Sequence, residues 1–234
     1  MKFSEFSAAA IPKLELQMES IISLSKQDWD DSLLGMLRYH LGWGENDHAK
    51  SSKGKRIRPL ILLLATETAG GDWENALPAA ASIELIHNFS LIHDDIEDKS
   101  AYRRGRQTLW KLHDLPLAIN AGDAMYALSF ISLGELIKTH SSEVAFQAYK
   151  LISHACLALT KGQHLDISFE KAGKISVQQY LEMIKGKTAA LLAISTKLGS
   201  LLANADQQTQ EYYYKLGKNI GLAFQIHDDI LGIW

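Results

Sequence analysis

Two pairs of adjacent aspartates are the residues of this sequence best suited to chemistry. Asp94 and Asp95 lie in the segment LIHDDIED, and Asp228 and Asp229 lie in the segment FQIHDDIL. Adjacent carboxylates repel each other, and burying either one without a compensating cation carries a large free-energy cost. The two pairs therefore predict a site that binds metal ions or a cationic ligand.

Helical geometry groups the first set of carboxylates. At about 100° per residue, Asp94 and Asp98 fall one turn apart and within about 40° of each other, and Asp95 closes an arc of about 100°. His87 precedes Asp94 by two turns and falls on the same stripe. The run from Ala79 to Ile92 is apolar enough for a buried helix. This pattern predicts a three-carboxylate face directed at a cavity or an interface.

The second segment repeats this arrangement. Gln225, Asp228 and Asp229 span a similar arc of about 100°. Both segments offer oxygen ligands with no cysteine or paired histidine nearby, which favours Mg²⁺ or Mn²⁺ over Zn²⁺. The plain alternative is a solvated helix end, because Asp-Asp-x-x-Asp also arises by chance. Two basic tracts elsewhere in the chain weigh against that alternative.

The first basic tract is KGKRIRP, residues 53–59, directly before the apolar run 60–65. Pro59 fits the first turn of a helix. The cations then lie at the positive end of that helix, where the macrodipole disfavours them, so an anion is expected to compensate them. With Gly54 allowing close approach, the tract predicts a phosphate site. The alternative is a positively charged loop in water.

The second basic tract is RRGR, residues 103–106, five residues after Asp98. Acidic and basic clusters this close can pair as surface salt bridges, each contributing about 0–1 kcal/mol. A diphosphate offers a better arrangement, in which Mg²⁺ joins it to the aspartates while arginines bind the remaining oxygens.

Five segments together carry a resemblance to a known family. They occur in the order GKRIRP, HNFSLIHDDIEDKSAYRRGRQT, GQHLD, GKTAAL and GLAFQIHDDIL. This set resembles the ordered signature of the trans-isoprenyl diphosphate synthases, the polyprenyl synthetase family, from about residue 53 to the last residue. The resemblance implies an all-α isoprenoid synthase fold, similar to class I terpenoid synthases, with a helical bundle around a central cavity.

The resemblance also implies roles for individual residues. The residues implied to hold Mg²⁺, or Mn²⁺ as a substitute, are Asp94, Asp95, Asp98, Asp228 and Asp229. Those implied to bind the diphosphate of isopentenyl diphosphate are Lys55, Arg58, His87 and Arg104. Those implied to bind or border the allylic diphosphate are Arg103, Lys187, Thr188, Gln225, Gln163 and Asp166. The implied catalytic set is Asp94, Asp95, Asp98, Arg103, Lys187 and Asp228.

The activity implied is that of a prenyltransferase. It condenses isopentenyl diphosphate head-to-tail with an allylic diphosphate (dimethylallyl, geranyl or farnesyl) by ionisation, condensation and deprotonation. A class I terpene cyclase shares the first aspartate motif but does not need the second diphosphate pocket. A non-catalytic subunit of a heteromeric synthase typically loses one aspartate motif, whereas this chain keeps both. The resemblance further implies a homodimer.

Product length is expected to depend on three residues before Asp94. One helical turn rises about 5.4 Å, comparable to one extended isoprene unit. The candidate rulers lie eight, five and four positions before Asp94 and are Ile86, Phe89 and Ser90. One aromatic residue five positions before the motif resembles the archaeal-type enzymes and implies geranylgeranyl diphosphate. Farnesyl or longer products remain alternatives, and Phe89 also fits an ordinary core position, because ideal helical angles turn it away from the aspartate stripe.

Two departures from the family pattern concern the C-terminal end. Gly232 stands where the second motif often has a further aspartate. The chain ends at Trp234, where the resemblance implies several more helices, so we expect a C-terminally shortened chain.

Composition agrees with a single soluble domain over residues 1–234. The chain has 47% hydrophobic residues and a net charge of −3, which predicts an ample core and no nucleic-acid binding. Its longest apolar runs, such as 60–65, are far short of a membrane span. Acidic residues in the first twenty positions argue against a secretory signal, so a cytoplasmic location is expected. The single Cys156 excludes an internal disulfide and is expected to be buried.

The pattern of apolar residues predicts helices throughout, and no segment alternates with the period of a strand. Ser176 and Gln179 predict a capping box. The loops 43–55 and 99–113 carry the basic tracts, as segments that close over a substrate do. The predicted helices cover residues 13–24, 29–41, 59–69, 76–98, 116–138, 142–169, 177–203 and 208–233.

Overall fold

A computed structural model describes residues 2–24, 31–43 and 54–233 of the chain, and most of the described residues are helical. The chain forms two units. One comprises residues 1–60 and 77–135, and the other comprises residues 61–76 and 136–234. The all-α fold class is confirmed. Two predictions concern residues outside the described ranges. They are residues 44–53 of the predicted 43–55 loop, which include Lys53, and residues 29 and 30 of the predicted helix 29–41.

The first unit contains helices that carry the first aspartate motif. Its elements are α1 (Phe3–Leu24), α2 (Asp31–Leu41), the first turn of α3 (Ile57–Thr68), α4 (Leu77–Glu97), β1 (Tyr102–Arg103), β2 (Arg106–Gln107), α5 (Leu109–Leu112) and α6 (Leu115–Gly134). Helix α4 packs closely against α6, because Gly122 of α6 leaves room for the imidazole of His93. Leu85 and Ile92 of α4 are buried in this core.

Helix α1 begins ten residues before its predicted start at residue 13. Phe6, Ala10, Leu14 and Met18 recur every four residues and are buried, so the apolar stripe extends the helix through Pro12. Pro12 is exposed. The backbone hydrogen bond that proline cannot donate is therefore lost on the solvent side of the helix.

The segment 99–113, predicted as a loop without strands, forms a β-hairpin followed by the short helix α5. Tyr102 pairs with Gln107 and Arg103 pairs with Arg106 in antiparallel register. Arg104 (φ +52°) and Gly105 (φ +76°) form the two-residue turn between them. Positive φ at both central residues is the requirement of the type I′ hairpin turn, whose twist matches that of the strands. The predicted loop therefore connects α4 and α6 through two short strands and one helical turn, which the sequence pattern did not indicate.

The second unit contains most of α3, two short 3₁₀ helices, and the long helices of the C-terminal half. Its elements after α3 are the 3₁₀ helices Trp73–Ala76 and Glu135–Lys138, then α7 (Ser142–Glu170), α8 (Val177–Ile184), a π-helical turn (Lys185–Ala189), α9 (Ala190–Leu202) and α10 (Gln207–Ile233). The capping box at Ser176 and Gln179 is confirmed at the start of α8. Cys156 is buried, as predicted.

The predicted helix 177–203 is interrupted by the π-helical turn. At the interruption Gly186 packs against Gly162 of α7 so closely that a Cβ atom on Gly186 would lie 2.7 Å from the carbonyl oxygen of Ala158. π-Helical turns are rare and occur frequently at functional sites. Here the turn contains Lys187 and Thr188, two of the predicted substrate residues.

Helix α6 and the 3₁₀ helix after it test the expectation that no segment is long and apolar enough to span a membrane. Residues 115–138 form one helical stretch that is long and apolar enough to span a membrane by length and composition alone. This differs from the prediction, which considered only continuous apolar runs. Less than half of its most apolar part is buried within the structure. Its packing against α4 gives the apolar residues a role in the core.

The hairpin turn supplies the first testable prediction. We expect Gly105→Ala to lower the free energy of unfolding by about 1–2 kcal/mol, because an L-residue is strained at positive φ. A Cβ atom at Gly105 meets no atom within 4 Å, so the effect is conformational and not steric. Chemical denaturation measures it.

Gly35→Ala is the matched control for this prediction. Gly35 lies inside α2, and a Cβ atom there also meets no atom within 4 Å. We expect Gly35→Ala to raise stability by about 0.5–1 kcal/mol, since alanine favours a helix interior. A stabilising Gly105→Ala would contradict the assigned turn.

Candidate active site

The first aspartate motif is held by the hairpin. The Nε of Arg103 donates to Oδ1 of Asp95 at 2.7 Å, and its Nη2 donates to Oδ2 of Asp94 at 3.3 Å. The side chain of Asp95 is 3% exposed and that of Arg103 is 29% exposed. The pairing of basic tract and aspartates considered in the sequence therefore occurs, but it is partly buried and not a surface contact. Asp98, at the end of α4, is exposed.

The environment of Asp95 disfavours its negative charge. Burial raises the pKa of Asp95 to about 6, with further repulsion from Asp94 and Asp98, although Arg103 opposes the shift. The same conditions that raise this pKa would favour a nearby cation.

The second predicted group, for a diphosphate, is assembled around Arg58 and His87. Nη1 of Arg58 lies 3.2 Å from Nε2 of His87. Burial, followed by the charge of Arg58, lowers the pKa of His87 well below its ordinary value, so this imidazole is neutral. Because arginine can only donate, Nε2 of His87 accepts and Nδ1 carries the proton. Nε of Arg58 is buried and has no hydrogen-bond partner among the described residues.

Gly54 and Arg104 meet in the same group. Gly54 has φ +72°, and a Cβ atom there would lie 2.7 Å from both Nη1 and Nη2 of Arg104. The predicted close approach at Gly54 is thus made by a guanidinium group. Lys55, the next residue, is exposed. The structure brings Arg58, His87 and Arg104 together in the first unit, as the sequence predicted.

Arg56 was missed as an organising residue. It is 3% exposed, with Nε donating to Oε1 of Glu15 at 2.7 Å and Nη1 donating to Oε1 of Glu84 at 2.8 Å. Its Nη2 donates to the carbonyl oxygen of Leu41 at 3.1 Å. Burial acts to lower the pKa of Arg56, but Glu84 and Glu15 outweigh burial and raise it. The negative charge expected to compensate the basic tract is therefore supplied, at Arg56, by the carboxylates of Glu15 and Glu84.

Glu84 is the acidic centre of this group. It lies on α4 three residues before His87, is 2% exposed, and also accepts from Nδ2 of Asn88 at 3.0 Å. Its charge acts to raise the pKa of both Arg58 and Arg104 against the effect of burial. A carboxylate this deep gave no signal in the sequence beyond its place in an apolar run, where an unpaired acid would be costly.

His40 is a buried histidine whose pKa is affected by the same arginines. Burial lowers its pKa to about 3, with further lowering by Arg104, Arg103, Arg56 and Arg106. Nε2 of His40 is buried without a hydrogen-bond partner in the described part of the chain. A histidine kept neutral here adds no further positive charge to the arginine group.

In the second unit, the π-helical turn directs two side chains at neighbouring helices. Nζ of Lys187 donates to Oδ2 of Asp166 on α7 at 2.5 Å. Oγ1 of Thr188 donates to Oε1 of Gln225 on α10 at 2.5 Å. These four predicted substrate residues are thus brought together. Gln163, one turn before Asp166, is partly buried.

The second aspartate pair divides into two environments. Asp228 is exposed, whereas Asp229 accepts from Nε2 of Gln225 at 2.7 Å and from the hydroxyl of Tyr180 at 2.5 Å. Burial, followed by Asp229, raises the pKa of Tyr180 to about 12, so its hydroxyl stays protonated. Tyr180 was not predicted as a site residue, because its contact with Asp229 joins positions 49 apart in sequence.

The predicted ruler residues lie on α4 in different surroundings. The ring centroid of Phe89 lies 4.8 Å from that of His93 and 4.9 Å from that of Tyr126 on α6. Ser90 donates to the carbonyl oxygen of His87 at 2.8 Å, and Ile86 is fully buried. The helical angles predicted Phe89 to face away from the aspartate stripe, and its contacts with α6 agree with that placement.

The carboxylates can be tested for their fit to Mg²⁺ on their chemistry. Within the described residues, no group of three or more His, Cys, Asp and Glu could by itself hold a metal ion. Mg²⁺, however, is usually bound by one or two carboxylates together with substrate phosphates and water, and not by a protein cage. Asp94 and Asp95 offer such a partial, all-oxygen set, and a bound cation would offset both the burial that chiefly raises the pKa of Asp95 and its repulsion from Asp94. These residues therefore fit Mg²⁺ bound together with a diphosphate.

The Arg56 group supplies the second testable prediction. We expect Arg56→Met to lower the free energy of unfolding by about 3–5 kcal/mol, because it leaves Glu84 buried without its cation. Denaturant unfolding monitored by circular dichroism measures the change.

Arg38→Met is the matched control, since Arg38 pairs with Glu19, one turn from Glu15 on α1, at 2.8 Å. The side chains of that pair are 38% and 46% exposed, so its loss should cost about 0–1 kcal/mol. Equal costs for the two variants would refute the organising role of Arg56.

The chain resembles characterised proteins along nearly its whole length. It is 40% identical over 229 residues to a (2E,6E)-farnesyl diphosphate synthase of Mycobacterium tuberculosis, covering 96% of this chain and 63% of that protein. It is 41% identical over 186 residues to a geranylgeranyl diphosphate synthase of Sulfolobus acidocaldarius, covering 80% of this chain and 56% of that protein. The chain thus spans less than two thirds of the length of these relatives.

Structural similarity agrees with the sequence similarity. The crystal structure of a polyprenyl synthetase from Streptomyces coelicolor matches with a TM-score of 0.85 at 36% identity, over 99% of this chain and 65% of that one. The polyprenyl synthetase family profile matches residues 45–234. The resemblance seen in the five sequence segments is therefore confirmed, and the chain belongs to the polyprenyl synthetase family.

Proposed function

We propose that this chain acts as a trans-prenyltransferase that condenses isopentenyl diphosphate with an allylic diphosphate. The observation that carries the proposal is that α4 presents two clusters of charged and polar side chains two turns apart. At one level His87 contacts Arg58 and lies within the electrostatic influence of Arg104, and at the other Arg103 bonds Asp94 and Asp95. Two neighbouring groups suit a reaction between two diphosphate substrates.

The allylic diphosphate is assigned to the aspartates and Arg103. When bound, Mg²⁺ would supply Lewis-acid stabilisation of the charge that develops on the departing diphosphate. Arg103 is partly exposed beside Asp94, so its guanidinium can donate to diphosphate oxygens without leaving the motif. Lys187 and Thr188 are assigned to the same substrate, with Gln225, Gln163 and Asp166 bordering it. Asp228 and Asp229 are assigned to Mg²⁺.

Isopentenyl diphosphate is assigned to Lys55, Arg58, His87 and Arg104. The neutral His87 donates from Nδ1, and its Nε2 fixes one edge of the Arg58 guanidinium. Cations held in place before the substrate arrives cost little reorganisation when charge develops. The apolar residues of α4 exclude water that would otherwise quench the allylic cation.

Incubation with isopentenyl diphosphate and each allylic diphosphate in Mg²⁺ tests the proposal, with chromatography of the dephosphorylated products. We expect prenyl products that vanish when the metal is chelated and return when Mg²⁺ is restored. A heteromeric subunit without activity of its own would form no product with any allylic substrate. The expected setting is a cytoplasmic homodimer, which sedimentation of the purified chain would test.

The carboxylates give the third prediction. We expect Asp94→Ala and Asp228→Ala each to reduce turnover by several orders of magnitude, because each removes an oxygen ligand needed once metal and diphosphate arrive. The free energy of unfolding without ligands should hold or rise, since repulsion between adjacent carboxylates is relieved. Steady-state kinetics and thermal melts measure the two effects.

Glu67→Ala controls for the loss of any exposed helical carboxylate, because Glu67 lies on α3 and is exposed. It should leave turnover unchanged. Near-normal turnover in Asp94→Ala or Asp228→Ala would remove that aspartate from the metal assignment.

Product length gives the fourth prediction, with geranylgeranyl diphosphate favoured. If Phe89 closes the end of the chain site, Phe89→Ala should shift the products to longer chains. Ser90→Phe should shorten them, because it places an aromatic ring one turn from Asp94. Product chromatography reads both shifts directly.

An unchanged product distribution in both variants would show that neither residue acts as a ruler. Phe89 would then act only in packing against α6. Longer wild-type products would move the limit to Ile86 or to another helix.

A further inference from the structure

The second unit contains a cavity of about 180 Å³ that the proposed reaction does not use. It lies between α7, the π-helical turn, α9 and α10. Its floor consists of residues without long side chains, namely Ala158, Gly162, Gly186, Ala189, Ala190 and Ala193. A floor of this kind is apolar and smooth, and it leaves room for a ligand.

The backbone sets the shape of this floor. A Cβ atom on Gly162 would collide with the amide nitrogen of Lys187, and one on Gly186 would lie 2.7 Å from the carbonyl oxygen of Ala158. The π-helical turn and α7 are therefore in direct backbone contact along one edge of the cavity. Since no long side chain has to move, the cavity is formed before any ligand binds.

The rim of the cavity is cationic. It carries Lys161, Lys185 and Lys218 but one acidic residue, Glu182. Glu182 already accepts from Lys161 at 3.2 Å and from Lys185 at 3.4 Å. Lys218 has no ion pair among the described residues and is partly buried. The lysines therefore outnumber their acidic partner by two.

Tyr214 adds a hydrogen-bond donor to the same wall. It lies one turn before Lys218 on α10, so the two side chains share a face of the helix. Within the described ranges its hydroxyl makes no hydrogen bond. An ammonium group and a phenol with free donors, placed over an apolar floor, match a ligand with an anionic head and an apolar body.

We propose that this cavity binds a small amphiphilic anion, a phosphate ester with a short hydrocarbon chain. The phosphate is held by Lys218 and Tyr214 at the rim, and the chain lies on the alanines of the floor. The cavity volume limits the chain to a few carbons. The proposal is independent of the proposed function, because neither Lys187 nor Thr188 lines the cavity.

A ligand in this cavity can influence Lys187 and Thr188 through the backbone of the π-helical turn. Gly186 and Ala189 line the cavity, while Lys187 and Thr188 of the same turn bond to Asp166 and Gln225. A ligand that packs against this turn restrains its backbone. Amide hydrogen exchange over residues 185–189 should therefore slow when the cavity is occupied.

Hexyl phosphate is the probe, titrated into the full chain by calorimetry. Mg²⁺ and inorganic diphosphate are kept at saturating concentration, so that diphosphate sites elsewhere in the chain are occupied. Inorganic phosphate alone and hexanol alone serve as head-only and tail-only probes. We expect hexyl phosphate to bind measurably more tightly than either, and to slow hydrogen exchange over residues 185–189.

Two variants locate the binding. Lys218→Met should weaken hexyl phosphate binding by about tenfold or more, because it removes a charge-assisted contact. Ala190→Leu should abolish binding by filling the floor while leaving every charge in place. Lys215→Met is the control for charge, since Lys215 is an exposed lysine on the same helix.

The three variants distinguish binding in this cavity from nonspecific attraction and from binding elsewhere. Equal weakening in Lys215→Met and Lys218→Met would show nonspecific attraction and overturn the proposal. Full affinity in Ala190→Leu, with an unchanged melting temperature, would place the ligand elsewhere and also overturn it. Loss in both Lys218→Met and Ala190→Leu, with Lys215→Met unchanged, would establish the site.

Discussion

The ion pair between Arg56 and Glu84 is the interaction on which the chemistry of the first unit depends. The proposed site for two diphosphates needs several cations close together, and those cations repel one another. Glu84 offsets that repulsion from inside the protein, bonding Arg56 directly and acting on Arg58 and Arg104 at longer range. Because Glu84 is buried and bonded to Arg56, its charge stabilises the cations of this group from inside the protein.

Histidines complete this balance by staying uncharged. Burial and the surrounding arginines lower the pKa of His40 and of His87. A charged imidazole at either position would add to the repulsion that Glu84 offsets. The neutral His87 can instead accept from Arg58 and donate to a ligand. In this arrangement the arginines supply positive charge, and His87 orients the guanidinium group of Arg58.

Local departures from regular helix present the remaining functional side chains. The type I′ turn at Arg104 and Gly105 folds the second basic tract back so that Arg103 meets the aspartates of α4. The π-helical turn at 185–189 directs Lys187 and Thr188 towards α7 and α10. In both places glycine permits the geometry, at Gly105 through positive φ and at Gly186 through close contact with α7. The same close contact forms one edge of the lysine-rimmed cavity.

The sequence alone determined the helical class, the family and the identity of the charged residues. Apolar residues with helical spacing and five ordered motifs carry that information locally, so no distant contact is needed to read it. It also placed Arg58, His87 and Arg104 in one group, through resemblance. Only the tertiary structure revealed Glu84, Glu15, Arg56 and Tyr180 as partners, because their contacts join positions 28 to 49 apart. The hairpin and the π-helical turn likewise depend on packing against α4 and α7, which overrides the local helical and loop preferences of their sequences.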